Sequence, residues 1–477
     1  MGWATATTAA YSPSTELISV IPVESPESTT IEPFEFKLTQ ATELDQISSH
    51  LLNEIRELHF QQAPRGFPTQ RPTTTITDRE LIGPITFWGN EVSGEAAFMF
   101  IQHEGKSYGL SETSYESLEG LIDAAMNSTW ARNSLSREFV KNTFCDWARQ
   151  RFGVDGLSFP EALSTAAKKS VTAIEVWAPI ANMEIEQNFD FGPVRIESVT
   201  NSVMESLRSR TLSTRPEQRQ QVDQLFDELE NEILGYAAVV ISMKTEPAIA
   251  QERALKIAQD TVGLLRFFSL PASQSHLFSS VALTGAEYIP TSKLIVLRES
   301  GFLLQHSALP KHVAHWRLPK QELAELTSGL LNIAASLVLP DGLSEFALVV
   351  RNSLLTYSKG TTLVDPLDRL RNSLSALEGI LLKHEIEPRA HNIANRMSLL
   401  LAPGLADREA IKQIVHQIYW LQGQSPLVDY GRRENELIMI FTTYACNLLR
   451  LALGNISTFS SKTQFLIEVD RMSQFNR

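Results

Sequence analysis

The feature that most constrains this fold is a long series of amphipathic patterns in the last third of the chain. From Pro319 onward, apolar residues recur at alternating steps of three and four, as on one face of an α-helix. Short turns separate these patterns, which favours an antiparallel bundle. The pattern predicts helices over residues 321–339, 343–357, 367–384, 390–401, 408–422, 434–453 and 462–472.

The region before Pro319 mixes the two periods. Strands are predicted where apolar residues alternate or β-branched residues cluster, and helices where the spacing returns to three and four. Strands are expected over residues 32–38, a hairpin over 96–111 turning at 103–106, a β region over 172–200 and further strands over 281–300. Helices are expected over residues 44–60, 118–125, 136–152, 216–244 and 248–268.

Together these patterns predict an α+β protein with three parts. A disordered tail rich in Ser, Thr and Pro is expected over residues 1–30, without the features of a signal peptide. A mixed α/β region with antiparallel strands and helices follows over residues 31–318. An all-α helical bundle is expected over residues 319–477, with its core at 365–453.

Charge and cysteine content limit the possible functions. The net charge is −13, but from Asp341 onward 15 Lys and Arg stand against 14 Asp and Glu, so the acidity belongs to the front of the chain. The C-terminal part can therefore still offer a local basic patch for nucleic acid. Two distant cysteines, Cys145 and Cys446, indicate no disulfide framework and favour a cytoplasmic setting. Apolar runs of about half a membrane span predict no membrane segment.

Three segments of the bundle carry a family resemblance: ALEGILL, NRMSLLL and IYWLQGQSPLVDYG, followed by a long closing helix. Over residues 365–453 the chain resembles the Apea-like branch of the HEPN superfamily of bacterial helical bundles. The resemblance implies a dimeric bundle that acts in defence against foreign nucleic acid or in a stress response. In active members, an Arg and a His separated by four to six residues cut RNA without a metal. His transfers the proton, and Arg stabilises charge on the phosphate.

The residues at these two positions differ from the family pattern. The Arg position falls on Gln422 and the His position on Asp429, and no Arg elsewhere is followed five to seven residues later by a His. Gln lacks positive charge, and an Asp with a pKa of about 4 is an anion at neutral pH. RNA cleavage is therefore not expected, and an ordinary polar loop is the simpler interpretation of this turn.

Five other residues at positions matched by the resemblance are candidates for RNA or partner binding: Glu378, Arg396, Tyr419, Arg432 and Arg433. The resemblance places Glu378 and Arg396 facing the site, where they could pair with each other; structural ion pairs or solvated side chains are the simpler interpretation. Tyr419 is most simply a core aromatic residue. Arg432 and Arg433 suit phosphate contact at the start of a helix, or a solvated surface pair.

Rival sites elsewhere are weaker. His312 and His315 have a spacing found in metal sites but no acidic or Cys partner nearby, so neither a metal nor a cofactor is expected. The four arginines within residues 208–219 suit phosphate contact or a solvated loop before a helix.

The favoured hypothesis is a catalytically degenerate, HEPN-like protein that binds RNA or dimerises through its bundle. The alternative is a noncatalytic protein-interaction scaffold that binds no nucleic acid. An active metal-independent RNase is the least favoured interpretation.

Overall fold

The computed structural model describes residues 34–59, 87–90, 96–103, 105–151, 156–214, 216–284, 292–297, 303–308, 313–423 and 431–472. These residues form a mixed α+β protein, as predicted. The tail predicted over residues 1–30 lies outside the described residues. The described residues divide into two compact units, one from Met1–Glu175 with Met243–Ala250, the other from Val176–Ser242 with Gln251–Arg477. The boundary predicted at residue 318 falls inside the second of these and stays a prediction.

The described residues of the first unit form a small antiparallel sheet and five helices. Its strands are ordered β1-β4-β3-β2, and the hairpin β3–β4 turns at the predicted position, with His103 opposite Lys106. A cluster of aromatic rings forms the centre of the core: Phe100, Phe144, Trp147 and Phe159. The elements are α1 (Leu38–Glu54), β1 (Arg56–Leu58), β2 (Phe87–Asn90), β3 (Ala96–His103), β4 (Lys106–Ser111), α2 (Glu112–Met126), α3 (Thr129–Ser134), α4 (Arg137–Arg151) and α5 (Phe159–Ser170).

At the start of this unit the predicted strand is wrong, and the predicted helix is present with different ends. Residues 34–37 form no strand; instead the rings of Phe34 and Phe36 pack on Trp130, at 5.5 and 5.0 Å between centroids. The alternating pattern thus reflects an extended segment docked on a core ring. The helix predicted over residues 44–60 begins at Leu38 and ends at Glu54, because the next residues pair with β4.

A five-stranded sheet has the order β11-β5-β9-β8-β7, and most of its residues belong to the second unit. The β region predicted over residues 172–200 is present. Gly192, in the turn between β7 and β8, has a φ of +63°, and a Cβ there would lie 2.2 Å from the carbonyl oxygen of Ala335. The elements are β5 (Thr172–Ala181), β6 (Met183–Ile185), β7 (Phe189–Phe191), β8 (Val194–Ser198), α6 (Asn201–Thr214), α7 (Arg219–Ile233), β9 (Ala237–Thr245), α8 (Pro247–Arg266), α9 (Leu270–Ser273), β10 (Phe278–Ser279), β11 (Ala282–Leu283), β12 (Ser292–Leu297), β13 (Leu303–Ala308), β14 (Val313–Ala314) and β15 (Trp316–Leu318).

The helix predicted over residues 216–244 is wrong in its last part, which is strand β9. Residues 237–241 are all buried, so both faces of this strand are apolar and no alternation marks it. Helix α7 ends at Ile233, and Gly235 takes a φ of +87° in the connection. A continuous apolar run is consistent with a buried strand or a buried helix. Here the turn at Gly235 ends helix α7, and the apolar run after it forms strand β9.

The helical bundle follows the predicted boundaries closely. Helix α13 starts at Pro366, after Asp365 caps it by accepting a hydrogen bond from the Leu367 N–H at 2.8 Å. One predicted helix, residues 321–339, is split at Gly329. The helices are α10 (Lys320–Ser328), α11 (Leu331–Ala335), α12 (Glu345–Gly360), α13 (Pro366–Leu381), α14 (Arg389–Leu401), α15 (Leu405–Gln422), α16 (Arg432–Gly454) and α17 (Lys462–Met472).

Helix α16 is the most apolar long helix in the described part of the chain. By length and composition alone it is able to cross a membrane, but half of its apolar window is buried inside the protein. Phe441, Ala445, Leu448 and Leu449 are fully buried. This burial is what a central core helix requires.

Candidate functional site

The turn between α15 and α16 is described only at its two ends. Gln422 is the half-buried last residue of α15, and Gly423 ends the helix by donating its backbone N–H to the carbonyls of Tyr419 and Trp420. Asp429 lies outside the described residues. Of the two residues that stand at the family's catalytic positions, Gln422 and Asp429, only Gln422 is among the described residues.

Two of the predicted site residues, Glu378 and Tyr419, lie together. The Tyr419 hydroxyl donates a 2.8 Å hydrogen bond to Glu378 Oε1, which joins α15 to α13. Arg389 Nη1, at the start of α14, lies 3.5 Å from Glu378 Oε2. Burial, reinforced by the Glu378 carboxylate, raises the pKa of Tyr419 well above its ordinary value. Tyr419 therefore stays protonated and acts as a hydrogen-bond donor, a more specific role than that of a core aromatic.

Arg396 does not pair with Glu378, the partner considered for it from the sequence. Its guanidinium binds Glu387 at 2.9 Å and Asp470 at 2.9 Å, and also donates to the Leu381 carbonyl. Lys383 binds the same Asp470 at 2.8 Å. One of its two partner carboxylates, that of Asp470, comes from α17, which lies beyond the segment that resembles the family.

The charges around Arg396 hold one another in their ionised forms. Burial alone would lower the pKa of Arg396, but hydrogen bonds to Glu387 and Asp470 shift the pKa upward overall. The Arg396 hydrogen bond lowers the pKa of Glu387. At Asp470, burial acts upward, yet the bonds from Arg396 and Lys383 lower the pKa overall. This cluster cross-links α14, α17 and the α13–α14 connection, so its first role is structural.

The two arginines after the turn are exposed. Arg432 is 94% exposed along its side chain, and its Nε lies 3.0 Å from Glu436 one helical turn later. Arg433 is also exposed, and within the described residues no ion pair involves it. Trp420, in the last turn of α15, is 65% exposed and was not among the residues predicted from sequence. A large exposed aromatic residue in an amphipathic helix is the signal that would have marked it.

The histidine pair and the arginine segment, the two rival sites, are described only in part. His312 lies outside the described residues, and His315 is exposed. Among the described residues, no group of three His, Cys, Asp or Glu is placed to hold a metal ion. Residues 208–214 belong to helix α6, so the solvated loop that was one of the two interpretations of this segment is not present there. Arg208 there binds Asp227 at 2.8 Å and Glu230 at 3.0 Å, so its charge is balanced.

Comparison with known proteins adds no further assignment. No protein-family model matches the chain, and no curated protein or solved structure shows significant similarity to it.

Proposed function

We propose that this protein is a HEPN-like RNA-binding protein that does not cleave RNA. One observation carries the proposal: the ends of the α15–α16 turn present two exposed arginines, Arg432 and Arg433, and an exposed indole, Trp420. Single-stranded RNA is bound by this combination of cations for phosphates and an aromatic face for base stacking. The resemblance supports the same end of the bundle, and a role in bacterial defence or stress enters the proposal through the resemblance alone.

The existing contacts of these arginines compete weakly with a phosphate. The pair between Arg432 and Glu436 is an exposed i,i+4 pair, which contributes about 0.3–0.5 kcal/mol. A charge-assisted hydrogen bond to phosphate is stronger than that. Both arginines also lie in the first turn of a 23-residue helix, where the helix dipole favours an anion.

Gln422 and Asp429 make cleavage unfavourable. The cation that would stabilise the cleaving transition state is replaced by a neutral amide, and the proton-transferring imidazole by a carboxylate. Each such loss costs on the order of 100-fold in rate. Incubation of purified protein with labelled RNA should leave the RNA intact; cleavage that disappears in Asp429→Ala would show that the site is active.

Binding is tested by fluorescence anisotropy of a labelled single-stranded RNA over a series of salt concentrations. Phosphate contacts require that log K falls with log salt, and loss of two contacts should reduce the slope by roughly 1.4. We expect this reduction in Arg432→Ala/Arg433→Ala, and about tenfold weaker binding in Trp420→Ala. Arg371→Ala removes an exposed arginine of α13 and serves as the control. Absence of binding at low salt would contradict the proposal.

A second candidate function is a protein-interaction scaffold, and it is favoured by the exposed face of α16. Met439 and Ile440 are 41% and 40% exposed, and Thr443 and Asn447 continue the same stripe. Homodimerisation, which the family resemblance implies, would use this same stripe. Analytical ultracentrifugation of wild type and Met439→Glu/Ile440→Glu distinguishes self-association from binding of a different protein. A wild-type dimer that dissociates in the variant supports self-association. A monomer in both proteins favours a different protein as the partner.

A further inference from the structure

A polar cleft of about 460 Å³ lies between α14, α15 and α17. Its wall includes Arg396 and Asp470, which are already bound to each other, and two further cations, Arg408 and Lys412. Lys412 is ten residues before Gln422 in α15, which places it about 15 Å along the helix from the turn. The cleft is therefore separate from the proposed RNA-binding end.

The two cations of α15 lack carboxylate partners in the described part of the chain. Arg408 donates its Nε to the Ala402 carbonyl at 2.8 Å, which leaves its terminal amino groups available. Lys412 has no hydrogen bond or ion pair with any described residue. Both side chains are half-buried, so water screens their charges less than it would at an exposed site. Like charges at i and i+4 repel each other, and a bound anion would relieve that repulsion.

The remaining lining suits a ligand larger than a bare anion. Asn392 contributes an amide that makes no side-chain hydrogen bond to described residues, and Leu399 and Leu405 supply apolar surface. Leu405 is 74% exposed. The volume falls in the range of pockets for small organic ligands. Glu409 and Asp470 also line the cleft, so we place the phosphate on Arg408 and Lys412, the two lining cations that no described carboxylate contacts.

We propose that this cleft binds a phosphate monoester of nucleotide size, with the phosphate on Arg408 and Lys412 and the organic part against Leu399 and Leu405. The Asn392 amide is placed to hydrogen-bond the sugar or base. This proposal does not depend on RNA binding at the turn. It also needs no change in the Arg396 cluster, which forms the charge-balanced floor of the cleft.

The test is isothermal titration calorimetry of the full chain with AMP, ribose 5-phosphate and adenosine. We expect saturable binding of a phosphorylated probe and none of adenosine. Arg408→Gln/Lys412→Gln should weaken binding at least about tenfold, as expected for loss of charge-assisted hydrogen bonds. Lys412→Gln alone should weaken it about fivefold, and this variant breaks no contact in the folded protein.

Arg471→Gln is the matched control, since Arg471 is an exposed, paired arginine of α17 outside the cleft. Its affinity should equal that of wild type. The proposal is overturned if neither phosphorylated probe reaches saturation at a probe concentration of about 10 mM, because the Kd would then be weaker than about 1 mM. It is also overturned if adenosine binds equally well, or if Lys412→Gln leaves the affinity unchanged.

Discussion

Arg369 and Arg396 are both buried in the helical bundle, at 5% and 6% exposure, yet different groups balance their charges. Arg396 is held by two carboxylates, Glu387 and Asp470. Arg369 has no carboxylate contact within the described residues; it donates only to backbone carbonyls, which are those of Pro271, Gln274, Ser275 and Leu277. Burial lowers the pKa of Arg369, whereas the carboxylates raise that of Arg396.

This difference shows two ways in which a helical bundle accommodates a buried cation. Carboxylates supply full opposite charge but must themselves be desolvated. Carbonyls supply only dipoles, but they come from a backbone that must be hydrogen-bonded in any case. Carboxylates can be protonated at low pH, so the charge balance of Arg396 depends on pH. Backbone carbonyls do not titrate, so the contacts of Arg369 do not. The following predictions test this contrast, from the largest expected effect to the smallest.

The largest effect is expected for Arg369→Met. Removal of the guanidinium leaves several partly buried carbonyl groups without a donor, each at a cost of about 1–3 kcal/mol. We expect the free energy of unfolding to fall by about 4 kcal/mol in urea unfolding followed by circular dichroism. Arg371→Met, two residues away and exposed, should change it by less than about 0.5 kcal/mol. Equal effects of the two variants would contradict the role assigned to Arg369.

Arg396→Met is expected to cost less, about 2 kcal/mol, because each carboxylate keeps another donor. Asp470 keeps the Lys383 side chain, and Glu387 keeps the backbone N–H of Lys383. Asp470→Asn combined with Arg396→Met forms a double-mutant cycle. The two substitutions should be non-additive by about 1 kcal/mol in the same unfolding assay. Additive effects would show that the ion pair does not couple α14 to α17.

Tyr419→Phe removes the hydroxyl that donates to Glu378 and leaves the ring in place. We expect a loss of about 1 kcal/mol, since the hydrogen bond is charge-assisted but partly exposed. Tyr444→Phe is the matched control, because Tyr444 is a half-buried tyrosine whose hydroxyl has no hydrogen bond to described residues. The control should unfold as wild type does, and a similar loss in both variants would argue against the Glu378 contact.

The smallest effect concerns pH. The pKa of Glu387 is lowered in the folded state, so its contribution to stability is present above the unfolded pKa of about 4.3 and is lost as pH falls through the lowered value. The stability difference between wild type and Glu387→Gln should therefore shrink as pH falls from 6 towards about 3. The deficit of Arg369→Met should stay constant over this range. A constant deficit in Glu387→Gln would remove the contrast between the two arginines.

Helix positions in the bundle could be predicted because the apolar spacing there is regular and the ends carry clear signals, such as Asp365 before Pro366. The spacing gives the buried face of each helix but not the neighbour that covers it. Glu378 therefore received the wrong partner, since its actual contacts come from Tyr419, 41 residues later, and from Arg389. Asp470 was missed because it lies on a helix outside the segment with a family resemblance.

The mixed region was predicted less well because each local pattern there is compatible with two kinds of structure. Strand β9 is apolar on both faces, as a buried helix would be, and Phe34 and Phe36 alternate without joining a sheet. The residues that carry the two functional proposals were not equally predictable. Arg432 and Arg433 could be found from sequence. The position of Arg408 and Lys412 beside a cleft could not, because three helices form that cleft.

The carbonyl contacts of Arg369 resemble the way a calcium ion orders a loop, by collecting backbone oxygens around one positive charge. Here the charge is covalently attached to α13, so neither a chelator nor a change in ion concentration can release it. Residues 271–277 can then open only when α13 itself moves. Amide hydrogens in this connection should exchange with solvent at the rate of the bundle rather than at the rate of a surface loop.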